Sequence, residues 1–338
     1  MEQENAPVLA ADIGGTSARF ALFEPGGILV PIASGSLIVL PTAHYASFQE
    51  LLDAALGELG RPRVRAAALA VAGPVERGRF CQPPNIAYSF DLDRISPEIL
   101  SCRTVLVNDF IAQAHGCRLL GERFSKPGRE ELMRTVFPGR MDPALTQAVV
   151  GPGTGLGKAA LIPDSQGGFV VCASEGGHAA FAFNSSPGEQ DFQRFVVKTL
   201  NEPYARTESV VSGAGLALAH RFLTGHTVSA AEAEATLTPD CAVAAWFARF
   251  LGRVCRDYVL DVLALGGLYL SGGVAARNPM LFAHEAFREE FRLSATHADL
   301  LAKVPARLVT DQLIGLRGAA ALAKLEDAFY GDCDQARV

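Results

Sequence analysis

The chain has 338 residues, 49% hydrophobic and 20% charged, with a formal net charge of −6. That length carries two domains, each with its own core. The mild acidity, with no run of Lys and Arg to offset it, argues against nucleic-acid binding. No stretch reaches the ~18 apolar residues of a membrane span. Seven Cys are widely spaced, with no C-x-x-C, and several lie in apolar stretches. This predicts reduced thiols, a cytoplasmic setting and no structural zinc. The acidic start Met1-Glu2-Gln3-Glu4-Asn5 does not read as a signal peptide.

Pro7-Val8-Leu9-Ala10-Ala11 predicts a strand running into Asp12-Ile13-Gly14-Gly15-Thr16-Ser17. Residues 18–23 alternate with period two and predict a second strand. A turn over 24–27 and a third strand over 28–33 complete a meander with a Gly-Gly hairpin at its first corner. Residues 47–60 predict a helix with Phe48, Leu51, Leu52, Ala55, Leu56 and Leu59 on one face and Gly60 as its stop. A buried strand over 64–72, a hairpin arm over 75–81, a helix and another strand over 104–107 follow. A meander followed by β-α-β crossovers implies a mixed sheet with helices on its faces.

The stretch Thr104-Val105-Leu106-Val107-Asn108-Asp109-Phe110 ends an apolar run in two short polar side chains, and a helix over 110–120 starts at once. A strand of this kind is expected to be buried on both faces. Asn108-Asp109 then lies at the carboxyl edge of a sheet, where ligands bind in open α/β folds. Asp109 is the candidate catalytic base; the competing reading is that it caps the following helix.

Residues 121–146 are rich in Arg, Glu, Pro and Gly and predict a surface excursion near a domain boundary. Strand alternation resumes at 147–150 and meets a second Gly-rich corner, Gly151-Pro152-Gly153-Thr154-Gly155-Leu156-Gly157, with a strand over 158–163 beyond it. The two halves thus share a plan, suggestive of an internal duplication. Helices are predicted over 190–200, 215–223, 230–237 and 241–265, and a short strand over 267–270 ends in a third corner, Ser271-Gly272-Gly273. An Ala- and Leu-rich helix over 312–325 closes the pattern.

Glycine corners after strands let backbone N–H groups approach an anion, though each alone also reads as a tight turn. The P-loop pattern fails, because Pro152 stands where its first Gly belongs and Ala159 follows Lys158. The dinucleotide pattern fails at Lys158, and both flanks read as strands where such motifs open helices. A hairpin phosphate loop is the remaining form. Asp12 beside the first corner is useful with a cation, and Mg²⁺ held partly through water is the expected one. Ser174-Glu175-Gly176-Gly177-His178 can grip vicinal hydroxyls, the Glu accepting and the His donating or accepting. It also reads as a capping Glu with a surface His. No second His or Cys lies at a spacing that would make His178 a metal ligand.

In order, Asp12-Ile13-Gly14-Gly15-Thr16, Asn108-Asp109-Phe110, Gly153-Thr154-Gly155-Leu156-Gly157, Glu175-Gly176-Gly177-His178 and Ser271-Gly272-Gly273 resemble the bacterial glucokinase family of the sugar kinase, Hsp70 and actin superfamily. The similarity runs from about residue 8 to 325. It implies a two-domain ribonuclease-H-like α/β fold (actin-like ATPase) with an interdomain cleft. The expected division is a small domain of residues 1–119 plus about 311–330 and a large domain of 120–310 with a helical insertion. It implies ATP and phosphate contacts at Asp12, Gly14, Gly15, Thr16, Gly153, Thr154, Gly155, Gly157, Ser271, Gly272 and Gly273, with Asp12 facing Mg²⁺ through water. It implies glucose contacts at Asn108, Asp109, Glu175 and His178, and at Glu208 in Glu208-Ser209-Val210-Val211-Ser212-Gly213, which by itself reads as a helix-initiation carboxylate.

Ser17 stands where family members often carry Asn, and nothing matches the Cys-rich zinc motif of the related ROK repressors and kinases. No DNA-binding helix-turn-helix is read before Asp12. Lys158 receives no role. The implied activity is ATP-dependent phosphorylation of glucose to glucose 6-phosphate, the first step of glycolysis, by a cytoplasmic homodimer. Alternatives are another hexose or N-acetyl amino sugar as substrate, polyphosphate or ADP as donor, or a non-catalytic sugar or nucleotide sensor on the same fold.

Overall fold

The structure, a computed structural model, describes residues 6–24, 35–123 and 131–335. The chain forms two compact units, Met1–Glu122 with Leu313–Val338, and Arg123–Gln312.

The first unit is built on a mixed sheet. Strands β1 (Val8–Ile13), β2 (Ser17–Phe23) and β3 (Leu37–Pro41) form an antiparallel meander, and β4 (Ala66–Val71) joins β1 in parallel. Short strands β5 (Val75–Glu76), β6 (Phe80–Cys81) and β7 (Phe90–Asp91) make a separate small sheet. Strand β8 (Arg103–Asn108) then returns beside β4, giving the order β3-β2-β1-β4-β8. The expected turn at 25–27 and strand at 28–33 lie outside the described residues, and the third strand of the meander is Leu37–Pro41.

Alternation decides what covers each face. Leu9, Ala11, Ile13, Ala67, Leu69 and Val71 pack in one core with Phe48, Leu51, Leu52, Ala55 and Leu56 of helix α1 (Phe48–Glu58). Ser47 caps that helix by accepting from Glu50 N, an arrangement worth about 1 kcal/mol. Val8, Ala10, Ala66, Ala68 and Ala70 face the other way, onto Leu316, Ala319, Ala320 and Ala323 of the C-terminal helix (Ile314–Gln335). Alanines on both partners let that helix lie close to the sheet.

Two expectations fail here. No α-helix separates the hairpin arm from β8; β7 and a single 3₁₀ turn, Leu92–Arg94, fill the interval, in a stretch punctuated by Pro83, Pro84 and Pro97. Strand β8 is also not buried on both faces. It is the edge of its sheet, and Arg103, Thr104, Val105 and Val107 are only half-buried. Its two faces meet different clusters, with Leu106 buried in one and Val105 and Val107 only on the margin of the other.

The second unit repeats the plan. Strands β9 (Met133–Phe137), β10 (Gln147–Pro152), β11 (Leu156–Pro163), β12 (Phe169–Ser174), β13 (Gly267–Leu270) and β14 (Ala306–Val309) order as β12-β11-β10-β13-β14-β9. Strands β10, β11 and β12 are antiparallel, and β10, β13 and β14 are parallel, matching the layout of the first sheet. Strand β9 corrects the expected surface excursion: Met133, Val136 and Phe137 are buried, and the strand pairs with β14.

Helices α3 (Pro187–Leu200), α4 (Thr207–Val210), α5 (Gly213–Thr224), α6 (Ala230–Ala235) and α7 (Ala242–Asp261) lie between β12 and β13. Helices α8 (Gly273–Arg277), α9 (Met280–Ala283), α10 (Glu285–Arg292) and α11 (Ala298–Leu301) precede β14. Phe192, Phe247, Phe250, Phe282, Phe287 and Phe291 are fully buried in their core. Inside it, Arg253 pairs with Glu189 at 2.6 Å and Glu290 at 2.7 Å, tying α3, α7 and α10 together.

Candidate active site

In the first unit, parallel register carries two sets of polar groups to one sheet edge. Ile13 pairs with Val71, and Val71 with Asn108. The β1–β2 corner and the end of β8 therefore lie at the same edge, two strands or about 10 Å apart. Asp12 is the penultimate residue of β1, opposite Arg19 on β2. Burial pushes its carboxyl above the usual carboxylate range, and the Arg19 charge opposes this. A β-carbon on Gly315 of the C-terminal helix would lie 3.4 Å from Asp12 Oδ2. The corner itself is pinned from outside. Gly14 N donates to Ser17 O at 3.0 Å, and Thr42 Oγ1 donates to Gly14 O at 2.9 Å. Gly15 and Thr16 remain exposed.

The geometry at β8 divides the capping question between two residues. Helix α2 (Asp109–Arg123) begins directly after Asn108. Asn108 Oδ1 accepts from Phe110 N at 2.9 Å and Ile111 N at 3.3 Å, while its Nδ2 donates to Gly73 O at 3.1 Å. Asn108 is 8% exposed and spends both ends of its amide on the backbone. Asp109 Oδ1 also accepts from Phe110 N at 2.9 Å. The cap thus rests largely on Asn108, and Asp109 is held at the helix start, where the positive end of the helix dipole favours a carboxylate.

In the second unit, four backbone corners converge at the carboxyl ends of β10 and β13. The second Gly-rich corner closes through Gly153 N donating to Gly155 O at 2.8 Å. Ser271 N donates to Val150 O at 2.9 Å, and Gly213 N to Gly153 O at 2.9 Å. Gly272 has φ +100°, and a β-carbon there would lie 2.6 Å from Pro152 O. A β-carbon on Gly177 would lie 2.3 Å from Leu156 O. The predicted second and third corners and the Glu-Gly-Gly-His turn are therefore neighbours, packed at distances that only glycine permits.

The acidic and imidazole side chains meet beside them. Glu208 N donates to Gly177 O at 2.8 Å, and a β-carbon on Gly155 would lie 2.8 Å from Glu208 Oε2. His178 Nε2 is 3.6 Å from Glu175 Oε2, and its Nδ1 is 3.5 Å from Glu208 Oε1. Thr207 anchors the segment, donating to Ala179 O from both N and Oγ1. Arg206, absent from the sequence reading, donates to Glu208 and lies 3.2 Å from His178 Nδ1. Its other side grips Glu202, whose carboxyl is lowered by that hydrogen bond. Its one visible signal is a cation two residues before Glu208.

Lys158 is 8% exposed, with its ammonium 5.5 Å from the centre of the Tyr258 ring on α7. Burial pushes it below the usual lysine range, opposed by the Asp261 charge. Among the described residues no group of three or more His, Cys, Asp and Glu could hold a metal ion. Among the described residues, no helix is long and apolar enough to cross a membrane.

In the second unit, a glycine hairpin beside a carboxylate–imidazole cluster is an arrangement suited to a sugar kinase. The comparisons agree and go further. A glucokinase family model matches residues 9–326. A glucokinase of Nitrobacter hamburgensis is 32% identical over 325 residues, covering 92% of this chain and 95% of its own. The crystal structure of a glucokinase from an Antarctic psychrotroph is 29% identical with a TM-score of 0.71, covering 94% of this chain and 98% of its own. That of a glucokinase from Balamuthia mandrillaris in complex with glucose shares the fold, with a TM-score of 0.80 at 19% identity over 95% of this chain and 94% of its own. The chain belongs to the glucokinase family.

Proposed function

We propose that this protein transfers the γ-phosphoryl group of ATP to the 6-hydroxyl of glucose. The observation that carries the reading is the shared wall between Gly155 and Glu208. It supports the reading because the hairpin expected to take phosphate and the carboxylate expected to take a hydroxyl lie side by side in one unit, as phosphoryl transfer to a sugar requires.

In this reading Asp12 to Thr16 and Gly153 to Gly157 cradle the ATP phosphates, with Ser271 to Gly273 beside the nucleoside. Asn108, Asp109, Glu175, His178 and Glu208 hold the sugar hydroxyls. The lone half-buried carboxylate of Asp12 at this corner fits Mg²⁺ bound mainly by phosphate oxygens and water, since that ion keeps most of its waters and needs few protein ligands. Bound there, Mg²⁺ supplies charge neutralisation for the phosphates. Asp109 accepts the proton of the 6-hydroxyl as that oxygen forms its bond to the γ-phosphorus. The bond to the bridging oxygen breaks, and ADP leaves with that electron pair. A base in this role contributes about 10²–10⁴-fold, and positioning with backbone N–H donors supplies much of the rest. Asp109 and the sugar grip belong to different units, so the chemistry calls for an interdomain cleft of the actin-like ATPase type that closes on glucose and excludes competing water.

An assay of sugar-phosphate formation over a panel of hexoses, N-acetyl amino sugars and phosphoryl donors tests the reading. Glucose with ATP is expected to give the highest kcat/KM. A different preferred sugar or donor would move the assignment within the kinases, and no turnover with any pair would leave a binding protein on a kinase fold.

A further inference from the structure

The residue that sequence reading passed over, Arg206, stands between two carboxylates and an imidazole. Its Nε donates to both oxygens of Glu202 at 3.1 Å, and its Nη2 to Oε1 at 2.6 Å. Glu202 is itself fixed, its N donating to Val197 O at the end of α3. The backbone at Arg206 pairs with Ala180, so the side chain is anchored at its base as well as at its tip. Its remaining nitrogen, Nη1, donates to Glu208 and lies 3.2 Å from His178 Nδ1.

A guanidinium has five donors and no acceptor, and it does not lose its proton in proteins. Nδ1 of His178 must therefore present its lone pair to Arg206. Its 3.5 Å approach to Glu208 Oε1 is too long to compete. The ring proton then resides on Nε2, which faces Glu175 Oε2 across 3.6 Å. That gap exceeds a direct hydrogen bond. A hydroxyl oxygen about 2.8 Å from both would accept from Nε2–H and donate to the carboxylate.

We propose that Arg206 is a positioning residue for sugar binding: braced by Glu202, it fixes His178 as the Nε2–H donor and orients Glu208 as an acceptor. The proposal rests on the sugar-kinase reading above and deepens it. It makes the site selective for a hydroxyl that can accept and donate at once, which an ether, a deoxy or a fluoro substituent cannot.

Two arms test it. The first uses the ligand-free full chain labelled with ¹⁵N-histidine, with His178 signals assigned by their loss in His178→Asn, and reads the tautomer from long-range proton–nitrogen correlations. Wild type and Arg206→Lys, which keeps a donor-only cation, are expected to show the Nε2–H form. Arg206→Met, which keeps the stem alone, is expected to populate the Nδ1–H form as well. The second arm is steady-state kinetics. Arg206→Met should raise the KM for glucose about 10- to 100-fold, the effect of losing a charged hydrogen bond, with a much smaller change in kcat and in the KM for ATP. Arg206→Lys should recover most of the loss. An Nδ1–H His178 in the wild type, an unchanged glucose KM in Arg206→Met, or Arg206→Lys no better than Arg206→Met overturns the proposal. The tautomer arm needs no turnover, so an inactive wild type would overturn the kinase reading while the spectra still decide the role of Arg206 at His178.

Discussion

Replacing Gly318 with alanine drives a methyl group into the backbone that carries Asp109. A β-carbon at Gly318 would lie 1.7 Å from Ala112 O, 2.7 Å from its carbonyl carbon and 2.8 Å from Gly116 N. Gly116 is constrained from the other side, where a β-carbon would lie 2.2 Å from Ile314 O. Carbon–oxygen contacts settle near ~3.3 Å, so α2 and the C-terminal helix must part by roughly 1.5 Å. Overpacking of this kind costs about 1–3 kcal/mol, and a backbone collision belongs at the upper end. The better helix propensity of alanine returns about 1 kcal/mol. The net loss is about 2 kcal/mol, which lowers Tm by roughly 4–8 °C for a unit of this size. Ala112 follows Asp109 by one helical turn, so the shift reaches the proposed base, and a misplacement of about 1 Å can cost about 10²-fold in rate. Thermal unfolding and a coupled ADP-release assay read the two effects. The control is Gly57→Ala on α1, where nothing lies within 4 Å of the added carbon and a gain of about 0.5–1 kcal/mol is expected. A Gly318→Ala protein with wild-type Tm and wild-type kcat would refute the reasoning.

Three further perturbations probe other parts of the account. Burial holds the Asp12 carboxyl above its ordinary value of 3.8, so the folded protein binds that proton more tightly than the unfolded chain. The resulting stabilisation is complete below the unfolded value and is lost as pH rises through the folded one. Asp12→Asn should therefore melt above wild type at about pH 7, with the gap closing toward about pH 4, while turnover falls; a wild type that melts higher at neutral pH contradicts this. Arg253→Met removes the cation from the Glu189 carboxylate, 2% exposed, and leaves that of Glu290, 9% exposed, to Arg256 at 3.2 Å. A loss of about 3–5 kcal/mol in urea unfolding is expected, and a loss below about 1 kcal/mol would show that the network is not held as ion pairs. Small-angle scattering should show a smaller radius of gyration with saturating glucose than without, and an unchanged radius would remove domain closure from the mechanism.

The features legible in the sequence were those with a local signature. Alternation located β1, β2, β10 and β11 but not the third strand of either meander, and apolar spacing located α1, whose buried side chains are five of the six expected. Gly-Gly and Gly-x-Gly marked the hairpin corners because glycine there answers a local backbone demand. What sequence left hidden depends on distant partners. Strand β8 looks like an interior strand, and only the sheet order makes it an edge. Met133-Arg134-Thr135-Val136-Phe137 is short and polar at two positions, and its place is set by β14, far along the chain. Gly116 and Gly318 carry no sequence signal, yet each makes room for another segment. Arg206 carries no motif, since its partners Glu202, His178 and Glu208 come together only through the turn of Gly177 under Glu208 N. The Asn108–Asp109 pair shows the limit most clearly. Sequence placed it at a strand end, whereas the division of labour between cap and candidate base required the hydrogen bonds.

The central claim is that Asp109 accepts the proton of the glucose 6-hydroxyl. Its most direct test compares wild type with Asp109→Asn, which keeps the shape and can still accept from Phe110 N. Product is followed by phosphorus NMR and glucose binding by calorimetry. The account predicts glucose 6-phosphate from the wild type, a fall in kcat of at least about 10²-fold in the variant, and glucose binding that survives. An Asp109→Asn protein that makes glucose 6-phosphate at near-normal kcat would contradict it.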